Sequence, residues 1–284
     1  MIIWIASYPK SGNTLVRSML SAYFFSKDGN YDFQQIKNIK QFPKTALFQK
    51  LGVNIRDERE IIKNYINVQK SFIKKNTIEF CKTHSYLFNI DNNKFTDLNN
   101  SLGAIYIVRD PRNVVTSWAN HSSYTIDEAA DSLIKANKIP GDLYKPDNKI
   151  KSYVYVGNWA GNFNSWKSFK HQGRYLLIKY EDLINNREFY FKKILEFISK
   201  LQKKKLVIDD LKFKNVINTT EFEKMQNLEK KKGFFEAKTN LKTGKKITFF
   251  KLGPKNDWKQ LLAKEVKNKI ETAFKKEMLE LGYL

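Results

Sequence analysis

The chain has 284 residues, of which 42% are apolar and 14% aromatic, so it can bury a substantial core and is not intrinsically disordered. Its formal net charge of +22 predicts an anionic partner: a nucleic acid, an anionic membrane surface or an anionic small molecule. Most of the basic residues are lysines spread along the chain, whereas base reading in DNA depends on arginine, so a specific nucleic-acid partner is not favoured.

The cysteine content and the apolar runs bear on the compartment. A single cysteine, Cys81, excludes an internal disulfide and fits a reducing compartment. No apolar run reaches the length of a membrane span, and the N-terminal run lacks the basic leader of a signal peptide. We therefore expect a cytoplasmic protein without a membrane span, with one domain over residues 1–284.

Short apolar segments that alternate with helical patterns predict the fold class. The predicted strands cover 2–6, 78–82, 104–108 and 174–180. Helices are predicted after Gly12, around 61–73, from 111 onwards, and at 126–134, 158–171, 188–201, 207–230 and 257–281. Loops are predicted at 89–100, at 232–250 and over the rest of 122–152. This alternation predicts an α/β fold with a central parallel sheet flanked by helices, whose ligands lie beyond the carboxyl ends of the strands.

The first predicted strand leads through a tight loop directly into a helix. The N–H groups and positive dipole end of such a helix favour an anion, and Gly12 lets the backbone approach a ligand closely. Lys10 adds a positive charge, while Ser11, Asn13 and Thr14 add side-chain hydrogen bonds. The loop is therefore predicted to bind phosphate, although its spacing is not that of a Walker A motif. The alternative is an ordinary strand–turn–helix with a solvated lysine.

Residues 8–14, Y-P-K-S-G-N-T, closely resemble the 5′-phosphosulfate loop of the sulfotransferases, usually written Y-P-K-S-G-T-T. Those enzymes move a sulfuryl group from 3′-phosphoadenosine 5′-phosphosulfate (PAPS) to an acceptor and leave 3′-phosphoadenosine 5′-phosphate (PAP). The resemblance implies that residues 10–14 hold the 5′ end of PAPS. It also implies that Lys10 stabilises charge on the leaving phosphate oxygen.

A second polar group follows the third predicted strand. Arg109 stands at the strand end, and Ser117 lies eight residues later, about two turns into a helix with Asp110 as N-cap and Pro111 at its first position. An arginine fork with a hydroxyl suits a phosphate dianion, and the alternative is a salt bridge of Arg109 to an acidic neighbour. The pattern R-D-P-R-N-x-x-x-S resembles the 3′-phosphate site of sulfotransferases, which implies that Arg109 and Ser117 bind that phosphate.

A third candidate site is Lys82-Thr83-His84, at the end of the second predicted strand. Histidine titrates near neutral pH and can accept a proton from an attacking hydroxyl, although a lone histidine is more often structural. The K-T-H triplet resembles the position of the catalytic base in cytosolic sulfotransferases. This implies that His84 is the general base and that Lys82 stabilises the transferring group. His121 and His171 are expected to be structural. No Cys/His cluster has metal-ligand spacing, so we predict no metal.

Two further segments resemble nucleotide-binding parts of the family. Residues 180–183, Y-E-D-L, resemble a segment whose tyrosine contacts the cofactor, which implies that role for Tyr180. Residues 219–225 resemble a T-S-F-x-x-M segment, which implies that Thr220 and Phe222 lie near the adenine. Taken alone, Tyr180 is as readily a core residue.

Residues 250–258 resemble, with departures, the late R-K-G-x-x-G-D-W motif that closes over the 3′-phosphate. The resemblance implies that Lys251 and Gly253 contact that phosphate. Lys251 replaces the arginine, and Asn256 replaces the second glycine. In the first loop, Leu15 stands where many members have a tryptophan beside the adenine.

The motifs together imply an enzyme that transfers a sulfuryl group from PAPS to a hydroxyl, or an amine, of a small-molecule or carbohydrate acceptor. Two alternatives stay open. A P-loop-type kinase that uses ATP would need a Walker A loop and an acidic magnesium ligand after a strand. A non-catalytic polyanion-binding module would bind nucleic acid strongly and in a salt-sensitive way.

Overall fold

The computed structural model describes residues 1–142, 149–240 and 244–284. The strands are β1 (Ile2–Ser7), β2 (Lys40–Gln41), β3 (Glu79–Thr83), β4 (Asn89–Ile90), β5 (Asn93–Lys94), β6 (Ser101–Val108), β7 (Asn137–Pro140), β8 (Tyr153–Gly157) and β9 (Tyr175–Lys179). The helices are α1 (Asn13–Phe25), α2 (Thr45–Gln49), α3 (Glu58–Lys63), α4 (Tyr65–Phe72), α5 (Pro111–Ser122), α6 (Ile126–Ile134), α7 (Trp159–Trp166), α8 (Tyr180–Asn185), α9 (Arg187–Leu201), α10 (Asp210–Thr219), α11 (Phe222–Lys232), α12 (Trp258–Leu261), α13 (Lys264–Ala273) and α14 (Lys275–Glu280).

A five-stranded parallel sheet in the order β2-β3-β1-β6-β9 forms the centre of the fold. Its central strand, β1, is buried along its whole length, as expected for a parallel strand covered on both faces. Helices cover both faces of the sheet. The predicted α/β fold with a central parallel sheet is therefore confirmed.

Side chains along β1 alternate between two hydrophobic cores. Ile2, Trp4 and Ala6 face a core formed with α5, α7 and α13. Ile3 and Ile5 face a second core formed with α1 and α9. The alternation fixes the register of the sheet, because a shift by one residue would exchange the two sets of side chains.

The four predicted strands are confirmed as β1, β3, β6 and β9, although β6 begins earlier than predicted, at Ser101. The fifth strand, β2, was not predicted, because two polar residues, Lys40 and Gln41, carry no alternating pattern. The hairpin β4–β5 and the strand β7 lie in segments predicted as loops, so those predictions were wrong there. The strand β8 lies between the predicted 122–152 loop and the predicted helix at 158–171, where no element was predicted. Residues 143–148 of the predicted 122–152 loop lie outside the described residues.

The predicted C-terminal helix over 257–281 is also wrong, because three helices, α12 to α14, replace it. The chain is extended at Leu262 and Ala263, and Phe274 leaves helical geometry again. Buried apolar residues continue at helical spacing across the break at Phe274, since α13 and α14 face the same core. In the predicted 232–250 loop, the described residues form only an isolated bridge between Thr239 and Lys246, and 241–243 lie outside the described residues.

Candidate active site

The candidate site residues converge because four neighbouring strands are parallel. Their carboxyl ends lie at one edge of the sheet. The predicted phosphate-binding loop follows β1, His84 follows β3, Arg109 follows β6 and Tyr180 follows β9. Residues that are far apart in the sequence are thereby brought to one edge.

The loop after β1 has the strained backbone expected of a tight anion-binding turn. Lys10 and Gly12 have positive φ angles of 66° and 100°. Asn13 begins α1, and its amide nitrogen donates hydrogen bonds to the Ile5 carbonyl at 2.9 Å and the Ser7 hydroxyl at 3.2 Å. The first turn of α1 contains no acidic residue that would compensate its positive dipole end. Asn13 thus ties the helix start to β1 and leaves its positive end facing the ligand edge.

Several buried polar atoms at this edge lack a hydrogen-bond partner within the described part of the chain. Three of them can donate: the Ser11 hydroxyl and the Nε atoms of Arg17 and Arg109. Leaving a buried polar group unsatisfied costs about 1–3 kcal/mol. A phosphate or sulfate ligand at the loop would satisfy such groups, so the residues fit an anionic ligand.

Tyr180 links the loop to the arginine at the end of β6. Its ring packs against Gly12 so closely that a Cβ atom at position 12 would lie 2.4 Å from a ring carbon. The Arg109 guanidinium lies 4.3 Å from the centre of the same ring and donates to the Lys10 carbonyl at 3.4 Å. Burial raises the pKa of Tyr180, so its hydroxyl stays protonated. These contacts place Arg109 directly beside the loop.

The two predicted lysines lie at the same edge in a poorly solvated environment. Burial lowers the pKa of Lys10 to about 8, and the neighbouring Arg109 charge acts in the same direction. Burial also lowers the pKa of Lys82 to about 8, although Glu236 opposes this shift. The Lys10 ammonium lies 4.2 Å from the centre of the Phe249 ring. Both lysines are mainly protonated at pH 7, and Lys82 is paired with the Glu236 carboxylate.

His84 is held in the tautomer that a general base requires. Its Nδ1 atom lies 2.9 Å from the Ser7 carbonyl oxygen, which can only accept, so Nδ1 carries the proton. Nε2 therefore keeps its lone pair. Burial first, and the charge of Lys82 second, lower the pKa of His84 to about 3. The ring is thus neutral and able to accept a proton at Nε2 at neutral pH.

Glu236 and Arg17 belong to this site, and the sequence reasoning missed both. The Glu236 carboxylate accepts from Arg17 Nη2 at 2.7 and 2.9 Å and from the Lys82 ammonium at 3.5 Å. Burial opposes ionisation of Glu236, but the charges of Arg17 and Lys82 outweigh it and hold its pKa below the usual range. The one sequence signal for this ion cluster was Arg17, a basic residue among the apolar residues of α1.

The late motif lies along α5, the helix that carries Ser117. Lys251 donates to the Asn120 side chain at 2.9 Å. Asn256, which replaces the second glycine of the family pattern, accepts from the Thr116 hydroxyl at 2.6 Å and donates to the Asn113 carbonyl at 2.8 Å. The Asn256 side chain therefore makes two of the hydrogen bonds that hold residues 250–258 against α5, next to Ser117.

Of the two residues predicted to lie near the adenine, Phe222 packs against the segment predicted to contact the 3′-phosphate, whereas the hydroxyl of Thr220 is hydrogen-bonded within the protein. Phe222 packs against Gly253, where an added Cβ would lie 2.2 Å from the ring, and both lie close to Lys251. The Thr220 hydroxyl is fully buried, accepts from Arg187 at 2.6 Å and donates to the Val216 carbonyl at 2.7 Å. Thr220 thus has its hydroxyl bonded inside the protein.

The remaining histidines differ in their placement. His121 lies 6.3 Å from Phe249 by ring centres, and burial together with the charges of Lys10 and Lys238 lowers its pKa to about 2. It therefore stands close to the site, although no motif surrounds it in the sequence. His171 is exposed in a 3-10 turn outside this edge.

Metal-binding clusters and membrane-spanning helices are both absent from the described ranges, 1–142, 149–240 and 244–284. No group of three or more His, Cys, Asp or Glu residues there is arranged to hold a metal ion. No helix among these residues combines the length and apolar character needed to cross a bilayer.

A parallel α/β sheet with a loop–helix anion site at its carboxyl edge is typical of proteins that bind phosphorylated ligands there. A family model described as "Sulfotransferase domain" matches residues 2–282 of this chain. The chain therefore belongs to the sulfotransferase family, as its motifs predicted.

Individual relatives are distant. Sulfotransferase 2A2 from Rattus norvegicus is 28% identical over 156 residues, which are 55% of this chain and 49% of that protein. Sulfotransferase 1B1 from Mus musculus is 23% identical over 277 residues, 97% of this chain and 82% of that protein. The chain thus spans about half the length of the rat relative in the alignment and most of the mouse relative.

A solved structure shares the fold. The crystal structure of retinol dehydratase in a complex with retinol and PAP superimposes with a TM-score of 0.61 and 15% identity, and covers 98% of this chain and 81% of that one. At this identity the likeness establishes the fold.

The contact between Gly12 and Tyr180 predicts that Gly12→Ala disrupts the loop. The added Cβ meets the Tyr180 ring, and the left-handed backbone alone costs about 1–2 kcal/mol with a side chain. Chemical denaturation should show a larger loss of unfolding free energy than for the control Gly52→Ala. Gly52 has a φ of +71°, but a Cβ added there would meet no atom within 4 Å, so it reports the backbone cost alone. Equal losses in the two variants would contradict the contact.

The lowered pKa values of Lys10 and Lys82 predict that anion binding weakens as pH rises through about 8. The protonated lysines attract an anion, so affinity is highest below that pH and falls as they deprotonate. Isothermal titration calorimetry with PAPS, in the absence of acceptor, between pH 6.5 and 9.5 measures this. Lys82→Arg, which stays charged throughout, should flatten the dependence. A constant affinity up to pH 9.5 in the unaltered protein would refute the prediction.

Proposed function

We propose that this protein transfers a sulfuryl group from PAPS to a hydroxyl, or an amine, of an acceptor. The observation that carries the proposal is the meeting, at one sheet edge, of an anion-binding loop, several cations and a neutral His84 with a free Nε2 atom. Membership in the sulfotransferase family supports the same reaction.

Different residues at this edge bind the two anionic ends of PAPS. Residues 10–14 hold the 5′-phosphosulfate, with the Ser11 hydroxyl as a donor that lacks a partner among the described residues. Arg109 and Ser117 hold the 3′-phosphate. Lys251, which contacts α5 through Asn120, and the adjoining Gly253 close over that phosphate.

The nucleotide base is held by fewer side chains than the family pattern suggests. Phe222 offers an aromatic face next to Gly253, and the Tyr180 ring packs against the loop at Gly12. Thr220 contributes to the shape of the site rather than through its hydroxyl, which is bonded to Val216 and Arg187. Leu15 is partly buried against the second core and offers no aromatic stacking surface.

Bound PAPS supplies the sulfuryl group: a bond from the acceptor oxygen to sulfur forms as the bond from sulfur to the 5′-phosphate oxygen breaks, which leaves PAP. His84 takes the acceptor proton at Nε2. Lys82 places its charge beside the transferring group, and Lys10 places its charge beside the leaving phosphate oxygen. The two lysine cations thus stabilise the negative charge that develops during transfer.

The low pKa of His84 belongs to the protein without an anion at the site. Burial and the charge of Lys82 disfavour the protonated ring. Bound PAPS carries more negative charge than the Glu236 carboxylate, so it would offset the charge of Lys82 further and raise the pKa of His84, against the lowering by burial. Binding of the donor thereby prepares the base.

The same chemistry restricts the reacting group of the acceptor to one that can lose a proton. His84 can take a proton from a hydroxyl or an amine, and we expect the acceptor to be a small molecule or a carbohydrate. The reaction is proposed to take place in the cytoplasm, because the one cysteine, Cys81, is free and buried in β3.

Ligand selectivity tests the proposed donor. PAP at about 100 times its dissociation constant should raise the free energy of unfolding by about 2.7 kcal/mol, which thermal denaturation detects as a higher Tm. ATP with Mg²⁺ lacks the 3′-phosphate that Arg109 and Ser117 are proposed to bind, so it should give a smaller shift. A larger shift with ATP and Mg²⁺ would favour a kinase, and a preference for single-stranded nucleic acid would favour a polyanion-binding module.

Removal of the base tests the proposed mechanism. His84→Ala should lower kcat by about 10²–10⁴-fold with an acceptor found by screening with labelled PAPS. Affinity for PAP should be kept, because His84 contacts the acceptor side of the site. The exposed His171 provides a matched control, since His171→Ala should leave both quantities unchanged. Near-full turnover of His84→Ala would remove His84 from this role.

A further inference from the structure

Glu236 is a carboxylate placed among the cations that the proposed reaction uses. It accepts two hydrogen bonds from Arg17, at 2.7 and 2.9 Å, and one from Lys82 at 3.5 Å. The side chains of Arg17, Lys82 and Glu236 are only 3%, 10% and 15% exposed. This is a poorly solvated ion cluster, so its three charges interact strongly.

The cluster lies between the two elements that carry the candidate binding and catalytic residues. Arg17 lies one turn after Thr14 in α1 and donates to the Thr14 hydroxyl at 3.3 Å. Lys82 lies two residues before His84, and the negative charge of Glu236 acts on the pKa values of both His84 and Lys10. The carboxylate therefore lies within the electrostatic reach of every proposed catalytic residue.

The Nε atom of Arg17 is buried and lacks a hydrogen-bond partner among the described residues. Arg17 thus keeps one donor without a partner even when Glu236 is bound to it. A carboxylate presents two oxygens to the cations, and a sulfuryl group presents three. Both are compact anionic oxygen clusters that suit an arginine fork and a lysine ammonium.

The segment that carries Glu236 is anchored by aromatic packing on its other side. The Phe234 ring packs against Phe249 and Phe250, with ring centres 4.8 and 5.4 Å apart, and Ala237 N–H donates to the Phe234 carbonyl at 3.0 Å. The backbone is therefore fixed. Rotation of the Glu236 side chain alone would withdraw the carboxylate from the cations.

Building on the proposed function, we propose that Glu236 occupies the sulfuryl position in the empty protein, and that the sulfuryl group of PAPS displaces it from Lys82 and Arg17. Arg17 is then a sulfuryl-binding residue. PAP has no sulfuryl group and leaves Glu236 in place. After transfer the carboxylate returns to the two cations, which disfavours retention of the sulfated product.

The experiment compares PAPS with PAP in the full chain. Glu236→Gln removes the competing charge, so affinity for PAPS should rise by about tenfold or more, as expected for a charge-assisted contact, while affinity for PAP should rise much less. Isothermal titration calorimetry without acceptor measures both. Glu265→Gln removes the same charge from an exposed position of α13 and should change neither affinity.

A double variant tests the part assigned to Arg17. In Arg17→Gln/Glu236→Gln, which leaves no unpaired buried charge between these two positions, the gain in PAPS affinity should disappear. Circular dichroism and the PAP affinity of each variant report whether it is folded. A double variant that keeps the full gain would overturn the role of Arg17.

The other outcomes separate this inference from the proposed function. An equal gain for PAP and PAPS in Glu236→Gln would show a general charge effect and overturn the displacement. A loss of PAPS affinity would show that Glu236 orders the cations, and would also overturn it. If the unaltered protein bound neither PAP nor PAPS, the proposed function itself would fail, and the displacement with it.

Discussion

The parallel pairing of β1 with β3 on one side and β6 on the other is the constraint on which the site depends. Because the strands are parallel, three chain segments leave the sheet at the same edge, and β9 adds a fourth. The continuous apolar character of β1 makes this pairing stable, since both of its faces are buried. Without that arrangement the loop, His84 and Arg109 would be unrelated local features.

The cations that converge at this edge repel one another, and a nearby carboxylate offsets part of that repulsion. Lys10, Lys82 and Arg109 are close together and poorly solvated. Burial, and then neighbouring positive charge, lower the pKa values of the two lysines. Glu236 offsets part of the repulsion in the protein alone. An anionic ligand bound as proposed would offset it further, so that stability and anion affinity would be coupled through the same charges.

Two residues that differ from the family pattern make hydrogen bonds that hold the site together. Asn256, in place of a glycine, holds the late motif on α5 through Thr116 and Asn113. Asn13, in place of a threonine, ties α1 to β1 through Ile5. In both cases an amide side chain supplies hydrogen bonds that fix the backbone, so the loop geometry does not require the usual residue.

The sequence by itself determined the central strands, the tight loop between β1 and α1, and the family, because each depends on residues that are neighbours in the chain: the apolar run of β1, the turn at Gly12, and the K-T-H and R-D-P-R motifs. It did not determine β2, whose two residues carry no pattern, or the breaks that divide the C-terminal helix. Only the tertiary structure placed Glu236 against Arg17, 219 residues away. Local propensity and periodicity report on neighbours in sequence, whereas pairing between distant charges is decided by how the elements pack.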